Sequence, residues 1–257
     1  MKKVFSVLEG IGVYLAFLLL PGILLLAVQL LAPGAAEGAF WVLQNFSTLI
    51  TAAVLLAVYR LAGKRVREAA GWPAGQLSGR DCLAAFLLGI CGNAAISAVL
   101  NLLPASWVES YGEQSSAVLE GPFVLILLTV VILAPLCEEI IFRGLIFRAF
   151  RRALPFGAAG ALSALLFGAA HVHPLWVCYA FGMGFAFSVM VERKGSLGVS
   201  AAAHFGFNLM SLLTAVIASS RLLGWIFYGS AFHILFWGVL GAAGAVLLWR
   251  RFFGRKA

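Results

Sequence analysis

Six residues of this sequence have the chemistry of a hydrolase and sit in unusually apolar surroundings. Glu138 and Glu139 follow the apolar run Phe123 to Cys137 and precede Ile140 to Phe142, with Arg143 and Gly144 next. An ionised carboxylate at a bilayer centre costs about 2.5–3.5 kcal/mol on insertion scales, so a chain that keeps two there is expected to use them. On a helix the two acids point about 100° apart. Glu139 and Arg143 are four residues apart with the acid N-terminal, which suits an ion pair along one face. Glu138 is left to find another partner. Pro135, just before the pair, removes a backbone donor and can kink the helix, opening space near the carboxylates. A solvated, idle position at the interface is the alternative. Arg148, Arg151 and Arg152 mark the interface better, and Glu138 lies about 15 Å of helix before Arg148.

Two further stretches carry polar groups: Phe167-Gly168-Ala169-Ala170-His171 and His204-Phe205-Gly206-Phe207-Asn208. A lone histidine in an apolar span is more often a packing residue than a catalyst. His204 and Asn208, four apart, share a face. They can bind a polarised oxygen together or hydrogen-bond neighbouring helices. Convergence of the three stretches says more than any one. A carboxylate with an imidazole can deprotonate water, and an imidazole with an amide can stabilise an oxyanion. Other protease chemistries are excluded. There is no HExxH and no GxSxG, and Ser196 and Ser200 have no acid–base relay. The only aspartate, Asp81, lies outside the apolar runs. His173 and His233 lack a polar partner at helical spacing and are expected in a turn and in packing, respectively.

The elements that must position these residues are membrane helices. The chain has 257 residues, 63% hydrophobic and 11% charged, which fits an all-α, polytopic membrane bundle forming one integral membrane domain over 1–257. About eight spans are expected, at 11–32, 39–61, 82–103, 122–148, 156–172, 174–191, 197–219 and 226–249, the fifth and sixth divided only by His173-Pro174. No small-residue cleavage site ends the first run, so it is expected to be retained. Residues 63–81 and 104–121 read as the longest inner and outer loops.

Lys2, Lys3, Lys64, Arg65, Arg67, Arg80, Arg148, Arg151, Arg152, Arg193, Lys194, Arg250, Arg251, Arg255 and Lys256 fall on one side of this arrangement. Glu37, Glu109, Glu113, Glu120 and the single basic Arg221 fall on the other. The basic side is expected to be cytoplasmic, with both termini there, in a bacterial plasma membrane. The net charge of +8 is thus a membrane feature, and no nucleic-acid partner is expected. Cys82, Cys91, Cys137 and Cys178 lack CxxC spacing and read as small buried hydrophobes. Gly182, Gly184, Gly198, Gly206, Gly238, Gly241 and Gly244 read as close helix packing.

Glu138-Glu139-x-x-x-Arg143, Phe167-x-x-x-His171 and His204-x-x-x-Asn208, with Arg143-Gly144 and Gly195-Ser196-Leu197 beside them, resemble the three signature motifs of the CAAX protease and bacteriocin-processing family. That family includes the type II CAAX prenyl endopeptidase. The resemblance covers about residues 120–215, the catalytic core it implies. It implies an eight-helix intramembrane endopeptidase acting on a membrane-associated peptide or protein, prenylated or not. By this analogy Glu138 activates a water with His171, His204 and Asn208 form the oxyanion site, and Glu139 and Arg143 support them. No cofactor is required in this reading. The zinc alternative makes Glu138, His171 and His204 three ligands, and the missing zinc signature and Asn208 argue against it. If the fifth span starts near Gly157, His171 lies nearer the outer face than Glu138 and His204, so tilt or a later start must bring them level. The non-catalytic alternative is a membrane immunity or scaffold protein of the same fold. A small transporter with a protonatable Glu138 has no inverted repeat to support it.

Overall fold

A computed structural model describes residues 1–63, 78–119 and 121–254, and among them there is no strand. Lys64, Arg65, Arg67, Glu120, Arg255, Lys256 and most of the expected 63–81 loop lie outside the described residues. Among the described residues six helices are long and apolar enough to cross a membrane: α1 (Lys2–Leu31), α3 (Gly79–Leu102), α5 (Phe123–Arg151), α7 (Pro174–Lys194), α8 (Leu197–Ser219) and α10 (Ala231–Phe253). The other two expected spans correspond to α2 (Ala36–Leu61), whose apolar part is Asn45–Leu61, and to the short α6 (Phe156–Ala169). Length and composition therefore support a polytopic helical membrane bundle with six spans, rather than fixing eight. Two helices lie between spans. The stretch 104–121, expected as a loop, forms α4 (Ala105–Val118), and α9 (Arg221–Tyr228) precedes α10.

Lipid, not water, explains the outer surface. Leu15, Leu19, Ile23, Leu26 and Leu30 of α1 and Phe232, Leu235, Phe236, Val239 and Leu247 of α10 are exposed, which is stable only against acyl chains. The centre is α5. From Ile141 to Phe147 every side chain is buried, Arg143 included. Phe142 packs edge-on against Phe17 of α1 and Phe167 of α6, with ring centroids 5.2 and 5.1 Å apart. At the basic end, polar links lace the helices together. Tyr59 and Arg152 both donate to Glu9, at 2.6 and 2.7 Å. Arg151 bonds Glu192, and Lys194 bonds Asp81.

Glycine sets the closeness of α3, α8 and α10. A Cβ on Gly89 would collide with the carbonyl oxygen of Ala203, and one on Gly206 with that of Phe86. Gly238, Gly241 and Gly244 likewise face Ala98 and Cys91 of α3. With the backbones this near, Asn93 Nδ2 reaches Ser211 Oγ at 2.7 Å across the α3–α8 seam, the pairing expected where lipid offers no hydrophobic drive. Gly182 is an exception, with open space around it. The cysteines are all free, but of the four expected to be buried only Cys137 is; Cys82 and Cys91 are half-buried and Cys178 is exposed.

These contacts set a stability test. Gly206→Ala should lower unfolding stability by about 1–3 kcal/mol through overpacking, read as a lower melting temperature in detergent. Gly182→Ala should leave it unchanged or raise it slightly. Equal melting of the two variants would contradict the close α3–α8 seam.

Candidate active site

The site is built first by α5, which is not a regular α-helix. Its turns widen to the i→i+5 pattern at Leu127–Leu133 and again at Glu139–Phe147, with a short α segment, Ala134–Glu138, between them. Such stretches are rare and cluster at functional sites. Pro135 stands at the start of the short segment. In the i→i+5 register the carbonyl of Val130 would be served by the N–H of residue 135, which proline lacks. Asn208 Nδ2 donates to that carbonyl at 2.9 Å. The proline expected only to kink the helix thus also ties α5 to α8.

The adjacent glutamates divide as their 100° separation anticipates. Glu139 is wholly buried and Arg143 Nη1 donates to its Oε1 at 2.8 Å. The guanidinium lies over the Phe167 ring at 4.3 Å and near the Phe187 ring at 5.2 Å. Its Nε and Nη2 find no hydrogen-bond acceptor among the described residues, so aromatic faces take the place of acceptors there. Gly184 leaves the room: a Cβ there would stand 2.9 Å from Nη2. Glu138 is turned toward open space, with its side chain 18% exposed.

His204 sits between the two acids. Its Nδ1 lies 3.2 Å from Glu139 Oε1 and its Nε2 lies 3.7 Å from Glu138 Oε2. A carboxylate only accepts, so Nδ1–H donates to Glu139 and Nε2 is aimed at the Glu138 side. The second separation exceeds a direct hydrogen bond, yet one oxygen placed beside both groups can contact each. The link from Glu139 to His204 was absent from the sequence reading, which gave Glu139 only Arg143. No local spacing signals it, because the two residues are 65 positions apart.

His171 follows the end of α6. Fourteen residues make about 21 Å of helix, shorter than a hydrocarbon core of about 30 Å, and His171 lines the same cavity as Glu138 and His204. His171 lies in the turn just beyond. Its Nδ1 donates to the Phe167 carbonyl at 2.8 Å, which leaves Nε2 as an acceptor. Val172 then adopts φ 64°, a left-handed conformation that is an outlier for a β-branched residue. The turn separates two histidines. His173, placed in a turn by the sequence, is buried and caps α7 by accepting from Leu175 N–H, while its Nε2 meets Ser110 of α4 at 3.1 Å. His233 packs beside Trp225 with ring centroids 5.3 Å apart, as expected.

Glu138, His171, His204 and Asn208 all line one cavity of about 460 Å³, within the size range of small-molecule and peptide-side-chain sites. Glu139 and Arg143 stand behind its wall. The lining also includes Asn45, Ser47 and Thr48 of α2, Thr129 of α5 and Trp176 and Tyr179 of α7, none of which was singled out from the sequence. The run Asn45-Phe46-Ser47-Thr48 carried a signal, being polar at the edge of an apolar span. Among the described residues no three His, Cys, Asp or Glu side chains are grouped closely enough to hold a metal ion. The zinc arrangement of Glu138, His171 and His204 therefore does not fit this geometry.

Comparison with known proteins falls on the same segment. Residues 120–210 match the model of a family described as type II CAAX prenyl endopeptidase Rce1-like. A curated protein of Bacillus subtilis (strain 168), named "Putative membrane peptidase YdiL", is 33% identical over 98 residues. That match covers 37% of this chain and only 40% of the relative's length. No solved structure matches the chain significantly. The matched family segment contains all three motifs, so the resemblance read from Glu138 to Asn208 stands: the core of this membrane protein is similar to the type II CAAX endopeptidases.

Proposed function

We propose that this chain is an intramembrane endopeptidase that cleaves a peptide bond of a membrane-associated polypeptide. The observation that carries the reading is the meeting of Glu138, His171, His204 and Asn208, from two separate helices and a turn, around one cavity. In the mechanism, a water lies between Glu138 and His171 Nε2. Glu138 takes one proton as the oxygen attacks the scissile carbonyl carbon, and His171 Nε2 accepts from the other O–H and orients it. The C=O bond becomes a C–O⁻ single bond. That oxyanion accepts from His204 Nε2–H and from the second N–H of Asn208, the first being held by Val130. The tetrahedral centre then expels the amine, which takes the proton from Glu138. His204 carries a proton on each nitrogen in this scheme. Two carboxylates, Arg143 and His204 then sum to zero charge, the condition under which buried ions are tolerated.

No step runs through a metal. The substrate's identity, including whether it is prenylated, is set outside the four residues. The basic end of the bundle, holding Arg151, Arg193 and Arg250, faces the cytoplasm of a bacterial-type plasma membrane in this reading.

Glu138→Gln keeps the shape and removes the base, so it should lower peptide turnover by about 10²- to 10⁴-fold with little change in melting temperature. His204→Ala and Asn208→Ala should each cost about 10²- to 10³-fold, as loss of one oxyanion donor does. Full activity of purified Glu138→Gln on a peptide cut by the parent would overturn the assignment. A parent inactive on a broad library, prenylated and not, would favour the non-catalytic reading.

Glu139→Gln acts differently. It strips the charge from the partner of two buried groups, Arg143 and His204, and breaking a buried pair costs about 3–5 kcal/mol. Its melting temperature should fall well below that of Glu138→Gln in the same detergent. Indistinguishable melting of the two would remove the distinction drawn between the glutamates.

Chelator treatment of the purified parent should leave the rate unchanged. Loss of activity that zinc alone restores would return Glu138, His171 and His204 to the role of ligands.

A further inference from the structure

The cavity has a direction. Its wall on α2 comes from Asn45 and Thr48, in the first half of a helix that ends with Arg60 near its last turn. On α5 no lining residue lies beyond Glu138, and the helix continues to Arg148 and Arg151. On α7 the lining starts at Trp176 and stops at Met183, well before Arg193 and Lys194. Toward the basic end Phe142, Phe147 and Phe150 are buried in the packed core and none of them lines the cavity. At the opposite end its rim includes Ser115, Ala117 and Val118 of α4, the last two exposed. Tyr111, one turn earlier, pairs with Tyr179 at 3.3 Å and holds α4 beside the opening.

The charges give that direction a meaning. Lys and Arg residues gather at the end the lining does not reach, and the open end carries exposed Glu109 and Glu113. Basic ends of spans face the cytoplasm. We propose that the cavity admits its substrate from the extracytoplasmic side, and that the substrate is a polypeptide segment presented at that outer face, not a cytoplasmic C-terminal tail. The substrate half of this statement rests on the peptidase reading; the access route does not.

The test is labelling of single cysteines by a membrane-impermeant maleimide. Cys178 is exposed, so the parent is Cys178→Ser, whose residual labelling gives the blank. Ser115→Cys reports the rim, Ala117→Cys supplies a second rim position should the first variant fail to fold, and Arg193→Cys reports the basic end. In intact cells the rim cysteines should label at least about tenfold faster than Arg193→Cys, and in inside-out vesicles the order should reverse. Rim labelling confined to inside-out vesicles, or equal labelling of both ends from either side, would overturn the access route. A water-soluble quenched peptide that the purified protein cuts is then added outside intact cells. It should be cut by the parent and not by Glu138→Gln. Cleavage seen only in inside-out vesicles would overturn the outer-face substrate. A chain labelled in the expected pattern but inactive on every peptide would lose the peptidase reading and keep the access route.

Discussion

Everything in the middle of this molecule depends on one arrangement of charge: Glu139, wholly buried, holding Arg143 on its own helix and His204 on another. In an environment of low dielectric an unpaired ion is costly, and its partners must be placed accurately. The second wide-turn stretch of α5, the ring faces of Phe167 and Phe187, and the missing side chain at Gly184 all make room for that arrangement. The arrangement in turn fixes α5 against α8, which orients the His204 ring and sets the side on which Glu138 is left open. The cavity is what remains once those charges have been satisfied.

Around it, α6 and α7 do a different job. The helix α6 is short, and the turn at its end brings His171 to the cavity that Glu138 lines. The left-handed Val172 reverses the chain at once, and His173 starts α7 while reaching α4. Two histidines two residues apart in the chain therefore serve unrelated tasks, one facing the cavity and the other clasping the helix beside its opening. The polar face of α2 completes the wall with side chains that carry no charge, so the cavity remains wettable without adding ions to the membrane interior.

What was legible in the sequence follows from the range of the interactions involved. The Glu139–Arg143 pair was legible because it is local and helical periodicity alone places it. The helical class and most spans were legible because the cost of burying charge in lipid dominates every other term. The Glu139–His204 contact, the Asn208–Val130 bond and the α2 wall were not, since each joins distant segments through packing. How His171 comes level with Glu138 stayed open between tilt and a later start for a related reason: an apolar run shows where lipid is tolerated but not where a helix stops. The helix α4 was missed because Pro104, Gly112, Gly121 and Pro122 punctuate a stretch with little apolar periodicity.

The placing of Glu139 and Arg143 on one helix, four residues apart, also bears on how the chain is made. As α5 leaves the ribosome and enters the bilayer, α8 with His204 has not yet been synthesised. The acid already has its counter-ion within the same segment, so α5 can partition into lipid as a nearly neutral unit. Glu138 has no such companion within a turn, so its polar neighbours come from segments made later. The order of synthesis thus leaves one glutamate partnered from the start and gives the other its surroundings only when the bundle closes around it.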